Sequence, residues 1–457
     1  MPTGLRSLQF SFGAATLTHY GGMALFQQFC RKLGLQRLLQ TYIPWQRRDS
    51  RYHPAELVLC LLYSMVVGLK RISDTRIRAY NRSFQRLLGL SQFPSDTTLR
   101  QFLRGLRPAE LRGLSKVHDL LRARVRGRRT SAIWDVDSTV LPLYGWTIQG
   151  ARRGYNPQKP GRPSYHPVVV FDGHTQDTIE GLLRPGDTFP VTVAKPLFQR
   201  CRAQLPTYAN RQKVTLRLRA DAGFYEGTFV QFLDEERVGY VIVAKLTQRL
   251  QERTTALRFR TFRQAGRWQV AQTRDHPLRW EHPHRFVIIR RPRPQRDEEA
   301  SQLTLWEFQD FFYHAFVSNL PLTPAAIYRF YTDRANVELD LRELKAAFPL
   351  GKIPTTRLTA NAVHFELTLL AYDLVNWFRR LCLPGLWKTA RLQTLRYELF
   401  LLPARLLCVK HRNVLKLPQG YPHRKQFTTA LRHIRTLHLS SIWADLSKVC
   451  SQAPSSP

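Results

Sequence analysis

The spacing of apolar residues divides the chain into a helical first part and a mixed second part. In residues 1–128, apolar positions recur with the period of an α-helix, most clearly in 23–40, 55–69 and 110–125. From residue 131 onward, short apolar runs typical of β-strands alternate with helical segments. Strands are predicted at 131–143, 166–173, 178–186, 214–223 and 239–246, and helices at 190–205 and 225–236. This alternation predicts a three-layer α/β core.

Strand-like segments then dominate up to residue 320, and helices resume after them. LRFRTF, RWQVAQ, HRFVIIRRP and FFYHAFVSNL predict strands, so we interpret 247–320 as an all-β insertion. These changes of pattern predict five regions. They are a helical region at 1–128, the first part of an α/β core at 129–246, the β-rich insertion at 247–320, the second part of the core at 321–381, and a helical C-terminal region at 382–457.

The net charge indicates which class of molecule the protein binds. The chain has 70 Lys+Arg against 33 Asp+Glu, a formal charge of +37 that is spread along its length. We expect a polyanion as partner, because neutralising phosphates releases counterions and drives binding. We expect no membrane association, because the longest apolar run, 57–68, is too short to span a bilayer and no signal-peptide layout is present. Six scattered cysteines indicate a cytoplasmic protein.

Residues 76–106 form a candidate helix-turn-helix. A predicted helix at 76–90 is followed by FPSDTT, in which Ser95 and Asp96 are candidate N-caps of a second, short basic helix. In a helix-turn-helix, Arg100 and Arg104 on that second helix would contact DNA. The alternative, two surface helices of a small bundle, remains open at this point.

The stretch YTDRANVELDLRELK at 331–345 combines polar and apolar faces. In a single helix that advances about 100° per residue, one side carries Tyr331, Arg334, Glu338 and Lys345. The apolar stripe beside them would dock the helix on a core. The sequence therefore predicts one exposed ridge that binds anions and a metal ion.

Three acidic residues from distant segments are candidate metal ligands. Asp137 lies inside an apolar strand, Asp221 ends another strand, and Glu338 lies on the ridge. Phosphodiester chemistry commonly uses two divalent ions held by carboxylates, because Mg²⁺ prefers oxygen ligands. Asp135 lies two residues before Asp137, so in a strand both side chains face the same way and either could be the ligand.

The spacing Y-x2-R-x3-E-x6-K, formed by Tyr331, Arg334, Glu338 and Lys345, resembles the signature of transposases of the insertion sequence four superfamily. Segments 137–167 and 219–224 are similar to the branch typified by insertion sequence thirteen-eighty. The resemblance implies an RNase H-like catalytic core interrupted by the all-β insertion. It also implies that Asp137, Asp221 and Glu338 are catalytic and hold two Mg²⁺ or Mn²⁺ ions. The family's first aspartate directly precedes Ser-Thr or Thr-Thr, which ranks Asp137 above Asp135.

The resemblance further implies the DNA contacts. Tyr331, Arg334 and Lys345 would grip phosphates near the transposon end. The basic loop at 151–167, either a DNA contact or merely an exposed loop, carries Arg152, Arg153, Lys159 and Arg162. The expected partners are double-stranded DNA with the transposon's terminal inverted repeats, target DNA, and a second copy of the chain in the DNA complex. The helical region 1–128 would bind DNA, and 382–457 is a candidate dimerisation region.

The function implied by this resemblance is a DDE transposase of a bacterial insertion sequence, active at the nucleoid. It would cleave DNA at the transposon ends by metal-dependent hydrolysis and transfer the strands to target DNA by transesterification. Two alternatives remain. One is a domesticated or inactive transposase-derived protein that only binds DNA as a regulator. The other is an RNase H-like nuclease without strand transfer.

Overall fold

The computed structural model describes residues 15–43, 51–90, 92–127, 129–145, 147–157, 159–205, 214–261, 268–292, 306–308 and 311–439. The chain divides into two compact units, one formed by 1–126 together with 343–457 and the other by 127–342. No helix within the described ranges is long and apolar enough to cross a membrane. The five predicted regions and their boundaries stay a prediction.

The secondary-structure elements are numbered here in chain order. The α-helices are α1 (Met23–Lys32), α2 (Leu35–Tyr42), α3 (Pro54–Val66), α4 (Arg82–Leu87), α5 (Asp96–Gly105), α6 (Pro108–Val125), α7 (Ala194–Ala203), α8 (Gly227–Glu235), α9 (Gln248–Thr255), α10 (Pro324–Thr332), α11 (Ala335–Ala346), α12 (Leu358–Cys382), α13 (Leu392–Leu395) and α14 (Arg424–Thr436). Short 3-10 helices occupy Ile72–Tyr80, Pro190–Val193, Ala222–Phe224 and Gly385–Lys388, and Arg396–Phe400 is a π-helix. The strands are β1 (Leu17–Thr18), β2 (Ser131–Ser138), β3 (Leu141–Pro142), β4 (Ser164–Tyr165), β5 (Val168–Asp172), β6 (Thr178–Leu182), β7 (Thr215–Ala220), β8 (Gly239–Val243), β9 (Arg260–Thr261), β10 (Gln269–Asp275), β11 (His284–Pro292), β12 (Trp306–Phe308), β13 (Phe311–Ser318), β14 (Ala404–Val409) and β15 (Arg412–Lys416).

The unit formed by 1–126 and 343–457 is built around two largely buried helices, α3 and α12, which pack on each other. Helix α3 is apolar on all sides, as expected of a helix inside a core. It begins at Pro54, and His53 and Glu56 form a capping box before it. Helix α12 also packs on α5 and α6.

The C-terminal region contains more than the predicted helices. Strands β14 and β15 form an antiparallel hairpin there, and β14 also pairs with β1. The hairpin turns at Lys410 and His411, which both have positive φ angles, of 46° and 61°. Two-residue hairpin turns need such angles, and Asn-Gly is the usual sequence for them. A Lys-His turn has no such sequence pattern, so the hairpin was not predicted within the region that the sequence indicates to be helical.

The candidate helix-turn-helix differs from its prediction in the first helix. Residues 76–90 do not form one helix, because the 3-10 helix Ile72–Tyr80 ends before Asn81 and α4 begins after it. The Asn81 side chain accepts a hydrogen bond from the Phe84 N–H group at 2.8 Å, so this residue starts a new helix. Ser95 caps α5 as predicted, accepting from the Thr98 N–H group at 3.1 Å.

A buried histidine joins α6 to α12. His118 Nδ1 lies 2.9 Å from Glu366 Oε1, and its Nε2 lies 2.8 Å from Asp373 Oδ2. Burial and the nearby Arg122 lower the pKa of His118, but the hydrogen bonds to Asp373 and Glu366 outweigh them and raise this pKa to about 9. His118 is therefore a cation at neutral pH, held between two acids.

This histidine predicts a pH-dependent stability. A pKa raised above the unfolded value of about 6.5 contributes stability that is complete below pH 6.5 and lost as the pH rises to about 9. We expect wild-type protein to lose on the order of 3 kcal/mol of its free energy of unfolding across that window. Urea unfolding at pH 6 and pH 9.5 would measure it, and His118→Gln should abolish most of the difference. His364→Gln is the control, because burial lowers the pKa of His364 to about 4. Equal pH dependence in wild type and His118→Gln would contradict the assignment.

The unit formed by 127–342 contains one large mixed sheet. Its strand order is β6-β5-β2-β7-β8-β13-β11-β10-β9, and β12 pairs with β13 at the side. Strands β2, β7 and β8 run parallel, and the flanking pairs are antiparallel. The mixed α/β class predicted from the sequence is confirmed.

The β-rich segment after residue 246 joins the same sheet. Strand β13 pairs with β8, so β13, β11, β10 and β9 extend the sheet beyond the three parallel strands. The prediction of an all-β segment was wrong, because α9 lies within it. Thr247 caps this helix, and only Leu250 and Thr254 are buried. A helix with so few buried positions has almost no apolar periodicity for a sequence pattern to detect.

Helices cover both faces of this sheet. On one face, the core contains Trp134, Val170 and Leu218 from the strands, with Phe198 of α7 and Phe229 of α8. The opposite face packs against α10, and its core contains Val241, Val287, Phe316, Ile327 and Tyr331. Because successive strand residues alternate between faces, the odd-numbered residues of β2 and β7 point toward the side of α10.

Candidate active site

Two aspartates lie at the same edge of the sheet, at the ends of adjacent parallel strands. The register of β2 and β7 aligns Asp135 with Arg219 and Val136 with Ala220. Asp137 and Asp221 are the next residues on each strand. The carboxyl ends of parallel strands meet at one edge, so the fold brings together two residues that are far apart in sequence.

Backbone N–H groups hold both side chains. Asp137 Oδ1 accepts from the Ser138 N–H group at 2.8 Å, and Asp221 Oδ1 accepts from the Gly223 N–H group at 2.9 Å. Asp221 is the N-cap of the 3-10 helix Ala222–Phe224. Within the described ranges, the Oδ2 atom of each aspartate has no hydrogen-bond partner. One oxygen of each carboxylate is thus positioned and the other remains available to a ligand.

The two carboxylates repel each other. Burial, and after it the negative charge of Asp137, raise the pKa of Asp221 to about 6, although the positive charge of Arg334 opposes both effects. Two hard oxygen donors that repel each other are the chemistry that a divalent cation such as Mg²⁺ satisfies. The pair therefore fits a metal ion.

Glu338 is less closely placed. It lies exposed in the first turn of α11. Among the residues that the structure describes, there is no group of three or more His, Cys, Asp or Glu that could hold a metal ion. Among the described residues, the structure thus brings Asp137 and Asp221 together, and Glu338 does not complete a three-residue cluster with them. Its charge nevertheless acts on Tyr331, as do those of Asp137 and Asp221, so all three carboxylates lie within electrostatic range of one hydroxyl.

The predicted exposed ridge on one helix is wrong. Helix α10 ends at Thr332 and α11 begins at Ala335, so a turn at 333–334 interrupts the segment. The Thr332 hydroxyl donates to the Arg329 carbonyl at 2.9 Å, and Thr, Asp and Asn side chains compete in this way with helical hydrogen bonds. Across such a break, an angle of 100° per residue no longer applies. As a result Tyr331 and Arg334 are only 8% and 4% exposed, whereas Glu338 and Lys345 are exposed.

Arg334 connects this turn to the first aspartate strand. Its Nη2 donates to the Val136 carbonyl at 3.0 Å and lies 3.2 Å from Asp137 Oδ1. Its Nη1 lies 3.5 Å from the Tyr331 hydroxyl. A buried guanidinium in this position neutralises part of the charge of Asp137 and holds the start of α11 against the sheet edge.

Tyr331 is part of the core on the α10 face. Its ring packs on Phe316 with a centroid distance of 4.7 Å. Burial, together with the negative charges of Asp221, Asp137 and Glu338, raises the pKa of Tyr331 to about 12, although the positive charge of Arg334 opposes these effects. The hydroxyl is therefore protonated at neutral pH and can donate a hydrogen bond toward the carboxylates.

A buried ion pair that was not predicted from the sequence lies two residues before the two aspartates on β2 and β7. Arg219 Nε is 2.5 Å from Asp135 Oδ1, its Nη2 is 2.7 Å from Asp135 Oδ2, and both side chains are 2% exposed. Its Nη1 donates to the Phe330 carbonyl, next to Tyr331, at 2.6 Å. Both oxygens of Asp135 are thus engaged. The sequence does carry a pattern for this pair, since Asp135 and Arg219 precede the two aspartates by the same two residues.

The remaining predicted DNA-contacting residues lie on surface segments. Arg152, Arg153 and Lys159 are exposed and Arg162 is half-buried in the loop around β4. Lys159 Nζ lies 2.7 Å from the Tyr144 hydroxyl, and the Arg162 guanidinium is 4.6 Å from the Tyr144 ring centre. This basic loop is closely held, because a Cβ at Gly154 would lie 1.9 Å from the Gly186 carbonyl oxygen. Arg100 and Arg104 are respectively half-buried and exposed on α5, and Lys345 is exposed in the last turn of α11, on its 343–457 side.

The comparison with family models decides the family. The model described as "Transposase DDE domain group 1" matches residues 2–439. The chain belongs to that family. Its transposase DDE domain match includes residues of both compact units.

Other comparisons of this transposase DDE domain protein show little sequence similarity. It is similar to a solved structure titled a cryo-EM structure of piggyBac transposase synaptic complex with hairpin DNA, at 10% identity and a TM-score of 0.41. That match covers 96% of this chain and 83% of the other. No curated protein sequence matches.

Proposed function

We propose that this transposase DDE domain protein cleaves DNA at the ends of an insertion sequence and joins the freed ends to target DNA. The observation that carries the proposal is the placement of Asp137 and Asp221 at one sheet edge in a chain of the transposase DDE family. The uninterrupted Y-x2-R-x3-E-x6-K spacing supports membership of the insertion sequence four superfamily.

An RNase H-like core is the architecture we assign to the sheet. The support is the run β6-β5-β2-β7-β8, in which the three parallel strands carry both aspartates and α7 and α8 cover one face. In this assignment β9–β13 are the insertion, which continues the sheet after β8. The helix that carries Glu338 follows the insertion and returns to the same sheet edge.

The residues of the site take distinct roles in this proposal. Asp137, Asp221 and Glu338 would hold one or two Mg²⁺ or Mn²⁺ ions. Glu338 would complete the set of ligands by a change in the conformation of its exposed side chain. When bound, such ions would activate the attacking oxygen and stabilise the leaving oxygen. Arg334 orients the Asp137 carboxylate through their ion pair. Tyr331, as a protonated hydroxyl, donates a hydrogen bond next to the reacting phosphate.

DNA binding in this proposal rests on the basic surface. The net charge of +37 favours a polyanion, and the basic loop presents Arg152, Arg153, Lys159 and Arg162. Lys345 supplies a further point charge for phosphate. The partners would be double-stranded DNA carrying the terminal inverted repeats, target DNA, and a second copy of the chain in the complex.

A second candidate function is DNA binding without cleavage. The lack of a three-residue ligand cluster among the described residues favours it, because two carboxylates alone hold a metal ion more weakly than three. The available Oδ2 atoms and the charge repulsion of Asp137 and Asp221 favour the enzyme, because a protein that only binds DNA gains nothing from them.

The two candidates are separated by a reaction with defined DNA. The protein would be incubated in Mg²⁺ with a labelled duplex that carries the inverted repeats flanking its gene, together with a target plasmid. We expect nicked ends and joined products, both of which disappear in EDTA. Cleavage without joined products would indicate a nuclease, and binding without cleavage would indicate a regulator.

A further inference from the structure

A charged cavity lies in the helical unit formed by 1–126 and 343–457. Its volume is about 260 Å³, and four cationic side chains line it: Lys70, Arg71, Arg100 and Lys352. Ser73 and His364 add a hydroxyl and an imidazole, and the remaining lining residues are apolar. The lining includes no carboxylate.

The four cations come from three separate segments, and the imidazole comes from a fourth. Lys70 and Arg71 follow α3, Arg100 lies in the middle of α5, Lys352 lies between α11 and α12, and His364 belongs to α12. Folding therefore brings these cations together, because they are not neighbours in the sequence as the residues of a basic run would be. Like charges that share a cavity repel one another, and a bound anion removes that repulsion.

The cations are also poorly compensated. Among the described residues, the side chains of Lys70, Arg71, Arg100 and Lys352 have no ion-pair partner. Two acids are near. Asp74 Oδ2 accepts from the backbone N–H group of Arg71 at 2.9 Å, and Asp96, which feels the charge of Arg100, is already paired with Arg76 at 3.0 Å.

His364 supplies a neutral donor in the same cavity. Its side chain is buried, with 5% of the residue exposed, and burial lowers its pKa to about 4. Within the described ranges, the imidazole has no hydrogen-bond partner, so its N–H group can donate to a ligand. An imidazole next to four cations would otherwise be an unused polar group in a core.

We propose that this cavity binds a phosphate group of the DNA backbone. The proposal rests on the DNA-binding function argued above. Arg71 and Arg100 can each form bidentate hydrogen bonds with phosphate oxygens, and the lysines add point charges. The cavity has room for one phosphate and its waters but no flat apolar wall of aromatic rings for a base. Arg100 would then position the DNA and would not read bases, which differs from the helix-turn-helix prediction.

Charge removal in the cavity tests this assignment. Arg100→Gln combined with Lys352→Gln removes two of the four cations and preserves hydrogen-bonding side chains. The control, Arg112→Gln with Lys116→Gln, removes two exposed cations of α6 that lie outside the cavity. Binding of a duplex is measured over a range of salt concentrations. We expect the cavity variant to bind more weakly and its slope of log K against log salt to fall by about 2, whereas the control slope changes by less than about 1.

Additional measurements distinguish a DNA phosphate from free phosphate, and a charge-preserving variant controls for misfolding. Arg100→Lys keeps the charge and should keep the wild-type slope. Inorganic phosphate at constant ionic strength should compete only weakly with the duplex for wild-type protein. An unchanged salt slope in the cavity variant, with DNA binding and cleavage intact, would overturn the phosphate assignment alone. If inorganic phosphate raised the melting temperature of wild type but the DNA slope were unchanged, the cavity would bind free phosphate. Absence of any DNA binding by wild type would instead overturn the proposed function.

Discussion

Asp137→Asn, Asp221→Asn and Glu338→Gln should each lower Mg²⁺-dependent cleavage of end DNA by about a thousandfold or more. Each change preserves side-chain size and removes the negative charge that a divalent cation requires. DNA binding should persist, because it depends on Lys and Arg side chains elsewhere in the chain. Initial rates of nicking on a labelled duplex measure the first effect, and a gel-shift titration measures the second.

Asp333→Asn is the matched control for these variants. Asp333 is exposed in the turn beside Arg334 and undergoes the same change of charge. We expect it to cleave at a rate close to that of wild type. Cleavage by all three site variants at the rate of Asp333→Asn would show that this site is not catalytic.

Breaking the buried pair of Asp135 and Arg219 should have the second large effect. Arg219→Met leaves the Asp135 carboxylate buried without its cation, and loss of one partner of a buried pair costs about 3–5 kcal/mol of the free energy of unfolding. The same change removes the hydrogen bond to the Phe330 carbonyl at 2.6 Å. Because Phe330 precedes Tyr331 and the turn at Arg334, we also expect slower cleavage at temperatures where the variant remains folded.

Arg217→Met is the control for that variant. Arg217 lies on the same face of β7, two residues earlier, and is half-buried with no carboxylate partner among the described residues. Its replacement should cost much less stability in urea unfolding. A double-mutant cycle with Asp135→Asn should show coupling between Asp135 and Arg219. Equal losses for Arg217→Met and Arg219→Met would contradict a specific role of the pair.

The pair also changes the meaning of Asp135→Asn. From the strand pattern alone, Asp135 and Asp137 are equivalent, since both face one side of β2, and only the family resemblance ranks Asp137 above Asp135. In the structure both oxygens of Asp135 are bound by Arg219, whereas Asp137 retains an available oxygen. An inactive Asp135→Asn variant would therefore not by itself identify a metal ligand. Metal binding has to be measured as well.

The sequence predicted the parts of the site that depend on local pattern. Strands β2 and β7 are short apolar runs, and each leads directly into an aspartate, so Asp137 and Asp221 could be located without a structure. Parallel pairing then brings them to one edge. The mixed α/β class followed from the same alternation of strands and helices.

Features that depend on distant contacts could not be predicted in this way. Arg334 is buried because its guanidinium finds the Val136 carbonyl, 198 residues away, and the turn at 333–334 directs it there. Periodicity alone placed Arg334 on an exposed ridge with Lys345. The pairing of β13 with β8 could not be predicted either, since the apolar pattern of a strand does not specify which strand lies next to it.

Mn²⁺ binding shows without catalysis whether Asp137 and Asp221 together hold a divalent cation. The concentration of free Mn²⁺ can be followed by electron paramagnetic resonance as protein is added, without DNA and without any turnover. We expect wild type and Asp333→Asn to bind Mn²⁺ with similar affinity, and Asp137→Asn and Asp221→Asn each to weaken binding at least about tenfold, equivalent to about 1.4 kcal/mol. Unchanged Mn²⁺ affinity in both aspartate variants would show that these two residues do not hold a divalent cation.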